Sequence, residues 1–315
     1  MDCLLSIVIP IYNRVGHLPE TLATIARAAE GQDVVLILVD NGSTDGSQAV
    51  CQTFAQENGN AGLRVVLAEE TRRGAACARN KGLSLCQTPF VYFFDSDDAF
   101  DADFLTTLLP LLPATDAELL ALTSCMEVDG RIRTRAYRPT ASPADQILIS
   151  HLNTISMLFR TDFLRCIGGW NEQLTTWDDW ELGVRTLLAQ PRMEWFTQRP
   201  FHLAKVHGDS QTGDNFTSRF EGERAALRAV AGQMPAGEGT DRGLRRALYL
   251  RYAALLGNLK REKSREACLL LQTDIRQLFS DMTRWERLQF RFLCFYVSHG
   301  WRGWWQLALL CLPSL

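Results

Sequence analysis

The chain has 315 residues, 46% of them hydrophobic and 22% charged, and a formal net charge of −3. That length supports one large or two smaller packed domains, and the slightly acidic balance argues against a protein whose main work is neutralising nucleic-acid phosphates. Nine cysteines without a CxxC pair or regular spacing read as small buried hydrophobes of a reducing compartment, not as a disulfide frame or zinc site.

The first apolar run, LLSIVIPIY, has no basic leader and no small-residue cleavage site, and Pro10 interrupts it. It reads as a buried first strand, not a signal peptide. No stretch of about eighteen uncharged apolar residues follows, so a spanning helix is not expected. The chain reads as cytoplasmic, with the inner face of the cell membrane as a possible site of attachment. From Leu4 to Ile11 the run has strand length, and His17 to Ala29 carries Leu18, Leu22, Ile25 and Ala29 at helical spacing. Further strands are expected over Val34–Val39, Leu63–Ala68 and Phe90–Phe94, with helices over Ser47–Gln56 and Ala75–Leu85 between them. Apolar strands, each followed by a helix, imply a parallel sheet covered on both faces. Ligands bind such sheets at the carboxyl ends of the strands. Tyr12-Asn13-Arg14, Asp40-Asn41-Gly42-Ser43 and Asp95-Ser96-Asp97-Asp98 all follow strand ends and should converge on one crevice.

Beyond this point the alternation is lost. A helix over Phe104–Leu112, a strand over Leu119–Met126, a hairpin turn at Val128-Asp129-Gly130-Arg131, a strand over Thr154–Phe159 and a helix over Trp180–Leu188 suggest a mixed extension of the same sheet. AGQMPAGEGT, at 231–240, reads as a linker. After it Leu244, Leu248, Tyr252, Leu255 and Leu259 form one apolar helical stripe. The expected divisions are 1–98, 99–230 and a helical 231–315.

FFDSDDAF sets three carboxylates within four positions of a strand end. An EF-hand calcium loop is one reading, but Phe100 stands where its turn needs Gly and the terminal bidentate acid is missing. Aspartyl-nucleophile phosphatases also carry DxD after a strand, usually the first of their domain. A magnesium or manganese ion held by one or two carboxylates and completed by substrate phosphates is a third reading. A solvated turn capping a helix near Asp101 is the fourth. Neighbouring stretches favour the third: an acid after the second strand can accept from a base N–H or a ribose hydroxyl, Tyr12 offers a ring for stacking, and TRRGAACARNKG sets cations beside a helix N-terminus. Thr44-Asp45-Gly46 would serve equally well as a plain helix start.

IVIPIYNR, LVDNGSTDGS, TRRGAACARNKG and FFDSDDAF, in this order and spacing, resemble the inverting family 2 glycosyltransferases with the GT-A fold, over roughly residues 4 to 215. The resemblance implies an α/β, Rossmann-like and mostly parallel sheet with helices on both faces, extended here by C-terminal helices. It implies a metal-dependent transfer of a sugar from a nucleoside diphosphate donor to a hydroxyl of a glycan or lipid-linked acceptor, with a UDP-linked donor favoured. Asp95 and Asp97 would bind the donor's ribose and a Mg²⁺ or Mn²⁺ ion bridging its diphosphate, with Ser96 between them. Asp40 would recognise the base, flanked by Pro10, Tyr12, Asn13 and Arg14. Arg72, Gly74 and Arg79 of the third motif would meet the donor, although Arg72 stands where the family often has Asn.

TTWDDWELGVR holds a second acidic site. An inverting transfer needs a general base on the acceptor side, and Asp178-Asp179 open a helix between Trp177 and Trp180. The same residues would equally serve as an N-cap with tryptophans in the core. The family carries an acidic pair here, usually Glu-Asp, whose second member is the base. Asp179 is therefore the expected base, with Asp178, Trp177 and Trp180 lining the acceptor and Glu181 on the solvated side. ISMLFRTDFLRCIGGWNEQL resembles the lead-in that shapes the acceptor pocket. HLAKVHGDSQT resembles the segment that closes over the diphosphate, which makes His207 a candidate metal or phosphate ligand and Lys205 a further phosphate contact. Sugar-nucleotide pyrophosphorylases would need a Gly-rich, Lys-containing loop that PIYNRVGHLPE does not supply, and a non-catalytic nucleotide-sugar-binding module would need no base.

In the C-terminal segment Arg284, Arg287, Arg291 and Arg302 share one helical sector, while Trp285, Phe292, Leu293, Phe295, Val297, Trp301, Trp304 and Trp305 crowd the rest. Gly300 and Gly303 should break the helix. A basic, Trp-rich amphipathic stretch reads either as a peripheral membrane element or as a helix packed on the catalytic domain or a homo-oligomer partner.

Overall fold

The computed structural model describes residues 3–60, 63–123, 125–128, 131–134, 140–197, 202–205, 215–234 and 242–311. The expected alternation is present: β1 (Leu5–Ile11), α1 (Leu18–Ala28), β2 (Val34–Asp40), α2 (Ser47–Asn60), β3 (Arg64–Glu69), α3 (Ala75–Leu85) and β4 (Phe90–Phe93). Next come β5 (Ala99–Phe100), α4 (Phe104–Leu108), β6 (Leu119–Leu122), β7 (Cys125–Val128), β8 (Arg131–Thr134) and α5 (Pro143–Ile149). Then follow β9 (Met157–Arg160), α6 (Thr161–Cys166), α7 (Asp178–Leu188), β10 (Met193–Phe196) and β11 (His202–Lys205). The remaining helices are α8 (Phe216–Gln233), α9 (Arg242–Arg261), α10 (Arg265–Leu278), α11 (Arg284–Ser298) and α12 (Trp304–Leu310). His207 and the turn at Asp129-Gly130 lie outside the described residues.

The chain forms two compact units that interleave along the sequence. One comprises Met1–Pro139, Leu152–Thr175 and Ala189–Ser210; the other comprises Thr140–His151, Thr176–Leu188 and Gln211–Leu315. The first unit holds a seven-stranded sheet of order β10-β6-β9-β4-β1-β2-β3 and a four-stranded sheet of order β5-β11-β7-β8. In the larger sheet β4, β1, β2 and β3 run parallel, and β9 lies antiparallel to both β4 and β6. The strand expected over Leu119–Met126 is two strands, one in each sheet, because the polar pair Thr123-Ser124 interrupts the apolar run. The strand expected from Thr154 begins with a 3₁₀ turn, Thr154–Ser156, before β9. β3 corrects a further expectation: it is an edge strand, and its Val66 and Leu67 are exposed instead of covered.

β1 is central, with Leu5, Ile7, Val8, Ile9 and Ile11 all fully buried. Pro10 costs this strand no hydrogen bond. The Val8 carbonyl accepts from the Phe94 N–H, so Pro10, two residues on, turns its nitrogen to the same side. There it lies beyond Phe93, the last β4 residue in register, where no ladder partner is lost. The core beside β4 is aromatic. The Phe100 ring stands 5.0 Å from both Phe94 and Phe104, and buried Tyr92 donates its hydroxyl to the Ile155 carbonyl at 2.6 Å.

The second unit is helical. The stripe Leu244, Leu248, Tyr252, Leu255 and Leu259 of α9 is buried as its spacing requires. Glu181, expected on the solvated side, is instead fully buried, where Arg185 donates to it at 2.9 Å. Among the described residues no helix is long and apolar enough to cross a membrane. All nine cysteines are free thiols.

Two consequences can be measured. An alanine at Gly257 would ordinarily favour a helix by about 1 kcal/mol. Here its Cβ would lie 2.7 Å from the Val297 Cβ and 2.8 Å from the Cys294 carbonyl oxygen. Gly257→Ala should therefore lose about 1–2 kcal/mol in urea denaturation instead of gaining stability. Glu223 is fully buried, Arg219 Nε stands 3.7 Å from its carboxylate, and neither of its oxygens has a hydrogen-bond partner among the described residues. Burial pushes its carboxyl from 4.5 up to about 7, against the opposing pull of Arg219 and Arg251. Between these values the folded chain holds a proton that the unfolded chain releases, so stability falls as pH rises through the window. Glu223→Gln should flatten that fall and be the more stable protein above pH 7, by about 3 kcal/mol at most. Parallel Tm-against-pH curves for the two proteins would contradict this assignment.

Candidate functional site

The parallel strands of the first unit set three loops side by side. Ile11 lies opposite Asp40 at the carboxyl ends of β1 and β2, and the acidic loop follows β4 directly. The first two loops are stitched together. Asn13, held at φ 50°, donates its N–H to Ser43 Oγ at 3.1 Å and accepts the Thr44 N–H at 2.8 Å. The Arg14 N–H donates to Ser47 Oγ, and the Val15 N–H to Asp45 Oδ2. The Ser47 hydroxyl and the Val15 N–H together hold the Asp45 carboxyl below its ordinary range. Asp40 is buried and accepts the N–H groups of Gly42 and Ser43, both at 3.2 Å. Its first structural task is thus to shape its own turn.

Asn41 ties the third motif to this frame, a role that sequence reasoning missed. Its buried amide donates to the carbonyls of Glu70 and Arg72, both at 2.8 Å, and its Oδ1 accepts the Gly74 N–H at 2.9 Å. Gly74 needs its φ of 127°, which side-chain-bearing residues rarely adopt, to launch α3 from that contact. The two arginines of the motif part company. Arg72 is engaged by Glu70 and Glu172, which hold its guanidinium firmly charged. Arg73, which sequence reasoning did not single out, lays its guanidinium 4.2 Å from the centre of the half-exposed Tyr12 ring. The second arginine of TRRG was the available signal for it.

The DxD carboxylates have counter-charges from the chain itself. Arg79 is buried, stacks 4.3 Å over the Trp170 ring and donates from Nη2 to Asp95 Oδ1 at 2.8 Å. Asp97 lies 3.4 Å from Arg14 Nε. Ser96 and Asp98 are buried, and their carbonyls accept from the Thr21 hydroxyl. Asp98 starts no helix, since α4 begins at Phe104 after Asp103. Asn80 donates to the Trp170 carbonyl and accepts its N–H, so the Gly-Gly-Trp segment is pinned to α3.

Among the described residues no cluster of three or more His, Cys, Asp or Glu could enclose a metal. The donor set on offer is Asp95 and Asp97. Two adjacent carboxylates without a third protein ligand suit a hard divalent ion that completes its shell with phosphate oxygens and water, and do not suit an all-protein cage.

In the second unit Asp178 and Asp179 occupy the first turn of α7, both half-buried. Trp177 precedes them at φ 55°. The Trp180 N–H donates to Asp179 Oδ1 at 2.7 Å. Trp180, expected to line the acceptor, is instead a core residue: only 2% of it is exposed, and its indole N–H is spent on the Ile147 carbonyl. Trp177 remains half-buried, with the Arg251 guanidinium 4.4 Å from its ring centre.

Comparisons with known proteins accord with this geometry. The chain matches Glycosyl transferase family 2 over residues 6–168. Glycosyltransferase GlyG of Streptococcus pneumoniae serotype 4 is 36% identical over 121 residues, which is 38% of this chain and only 38% of that protein's length. The structure of S. aureus TarS in complex with UDP-GlcNAc superposes with a TM-score of 0.66 at 15% identity, over 99% of this chain and 93% of that one. The mannosyltransferase PcManGT from Pyrobaculum calidifontis, in complex with GDP-Man and Mn²⁺, gives 0.56 at 17%, over 97% and 86%. At such identities the structural likeness is one of fold.

The Asn41 clamp can be tested directly. Asn41→Ala strands a buried N–H and two carbonyls and should cost about 2 kcal/mol in urea denaturation. Hydrogen exchange at Gly74 should quicken with it; unchanged exchange there would remove the clamp.

Proposed function

The chain belongs to glycosyl transferase family 2, and from that premise we propose that it transfers a sugar from a nucleoside diphosphate donor to a hydroxyl of a glycan or lipid-linked acceptor, with inversion. The observation that carries the reading is the convergence of Tyr12, Arg14, Asp40, Arg79, Asp95 and Asp97 at the carboxyl ends of β1, β2 and β4, where open α/β sheets bind nucleotides. A UDP-linked donor is favoured because TarS, of the same fold, is known in complex with UDP-GlcNAc.

Tyr12 and Arg73 present a stacked aromatic and cationic surface to the base or diphosphate. Asp40, held by its own turn, offers its outer lone pairs to a base N–H. Asp95 meets the ribose. Arg79 keeps that carboxylate aimed, because a buried guanidinium donates a charge-assisted hydrogen bond to it at 2.8 Å. Pro10 and Ser96 shape the floor between the loops, and Gly74 presents the start of α3 to the donor. Asp95 and Asp97, with His207 as a further candidate ligand, would hold a Mg²⁺ or Mn²⁺ ion, whose positive charge would stabilise the departing diphosphate.

Asp179 takes the proton of the attacking acceptor hydroxyl as that oxygen displaces the diphosphate in a single step. The Trp180 N–H, which donates to Asp179 Oδ1 at 2.7 Å, orients this carboxylate at the start of α7. Asp178 and Trp177 stand on the acceptor side, with Trp177 as the aromatic surface still accessible there.

Asp179→Asn separates this reading from a non-catalytic sugar-nucleotide-binding module. UDP and Mn²⁺ affinity, read by calorimetry, should survive, while transfer from a panel of UDP-sugars falls by about 10²-fold or more. Undiminished turnover would remove Asp179 from the mechanism, and a parent protein that binds donors yet shows neither transfer nor donor hydrolysis would favour the binding module.

A further inference from the structure

The outward face of α11 belongs to neither the donor loops nor the acidic pair, and its composition is unusual for a surface. Its inner face is ordinary: Phe290, Leu293, Cys294 and Val297 are buried. Glu286, the helix's one acid, is turned inward as well, where Arg242 donates to it at 2.9 Å. Burial alone would raise that carboxyl, but Arg242 and the Thr283 N–H hold it at about 2. The outer face carries Trp285, exposed by 63%, and Leu288, Phe292 and Phe295, each exposed by 54%. Trp301 extends this surface past the end of the helix, its ring 6.1 Å from Phe295. The Tyr296 hydroxyl, which donates to the Arg302 carbonyl, fixes the turn that places it.

At about 100° per residue Phe295, Leu288, Phe292 and Trp285 fall within roughly 80° of arc, and the exposed Arg284, Arg287 and Arg291 fill the adjoining sector. No carboxylate of α11 shares that surface, and Asp281, just before the helix, is paired with Arg245 at 2.8 Å. We propose that this face docks on an anionic phospholipid bilayer, with the aromatic and leucine side chains in the headgroup boundary and the three arginines on lipid phosphates.

Charge decides between the occupants of such a face. A second copy of this face offers the arginine row no carboxylate of α11 to pair with, because Glu286 is turned inward to Arg242. A bilayer carrying phosphatidylglycerol offers both a boundary for indole and phenyl rings and a field worth about a fivefold gain in affinity per arginine. Docking through this face alone is peripheral and reversible.

The test is sedimentation of the full chain with vesicles of pure phosphatidylcholine and with vesicles in which about a third is replaced by phosphatidylglycerol. The protein should pellet with the second and not the first, and added salt should release it. Replacing Arg284, Arg287 and Arg291 together by Gln should weaken that binding on the order of a hundredfold. Trp285→Ser with Phe292→Ser should weaken it at least about tenfold with the charge unchanged. These side chains are exposed, so both variants should keep the parental Tm. Equal binding to both vesicles, or folded variants that bind like the parent, would overturn the proposal. So would an apolar-face variant that turns a dimer into a monomer while vesicle binding persists, because the face would then join copies of this chain.

Discussion

The donor side of the site depends on how closely α3 approaches β1. Gly82 makes that approach possible: a Cβ there would lie 2.2 Å from the Val8 side chain. Arg79 stands three residues earlier on the same helix face, and only a helix this near the strand lets a buried guanidinium reach Asp95 at the end of β4. Trp170, pinned by Asn80, stacks against that guanidinium. One missing methyl group thus resolves the repulsion built into DSDD. Asp95 and Asp97 are not a bare acidic pair awaiting an ion, since each already has an arginine within reach. A diphosphate and its cation would enter a nearly balanced field, which costs less than uncovering two naked carboxylates.

The helical unit treats its acids by the same rule. Glu181 meets Arg185, Asp274 meets Arg224 at 2.6 Å and Glu286 meets Arg242. Each of these three buried carboxylates has a guanidinium, half-buried for Arg185 and Arg224 and exposed for Arg242. Glu223 is the exception, with Arg219 too distant for a hydrogen bond, and it is the acid whose proton affinity burial raises most plainly. The arginines of α11 turn outward instead. A chain rich in arginine with almost no net charge therefore uses one residue type in two ways, and only the tertiary packing tells them apart.

This also explains what could be read beforehand. The alternation from β1 to β4 was legible because each strand is a short apolar run and each helix keeps a 3.6-residue period. The convergence of Tyr12, Asp40 and Asp95 followed from the carboxyl-end rule, which needs only strand order. Partners across loops were not legible. Asn41 reads as one more polar turn residue until its amide is seen bridging Glu70, Arg72 and Gly74. Arg72 and Arg73 are neighbours, and nothing in TRRG says which one faces Glu172 and which one Tyr12. Glu181 looked solvated because its helix begins with acids, and its burial depends on Gln233, 52 residues away. The split of Leu119–Met126 between two sheets needed sheet membership, which periodicity does not carry.

The acidic pair at Asp178-Asp179 shows how far such distant partners reach. Trp177 holds φ 55°, a conformation a bulky residue adopts at a cost of about 1–3 kcal/mol. The strained residue turns the chain into α7 so that both acids fall on its first turn, where the Trp180 N–H holds the Asp179 carboxylate. What repays the strain lies on α9 and α12: the Arg251 guanidinium stands 4.4 Å from the Trp177 ring, 5.5 Å from Trp180 and 5.4 Å from Trp304. One cation shared by three indoles ties the start of α7 to helices that follow it by more than sixty residues. The C-terminal helices, which by sequence look like an appendage beyond a linker, hold the backbone that presents the acids.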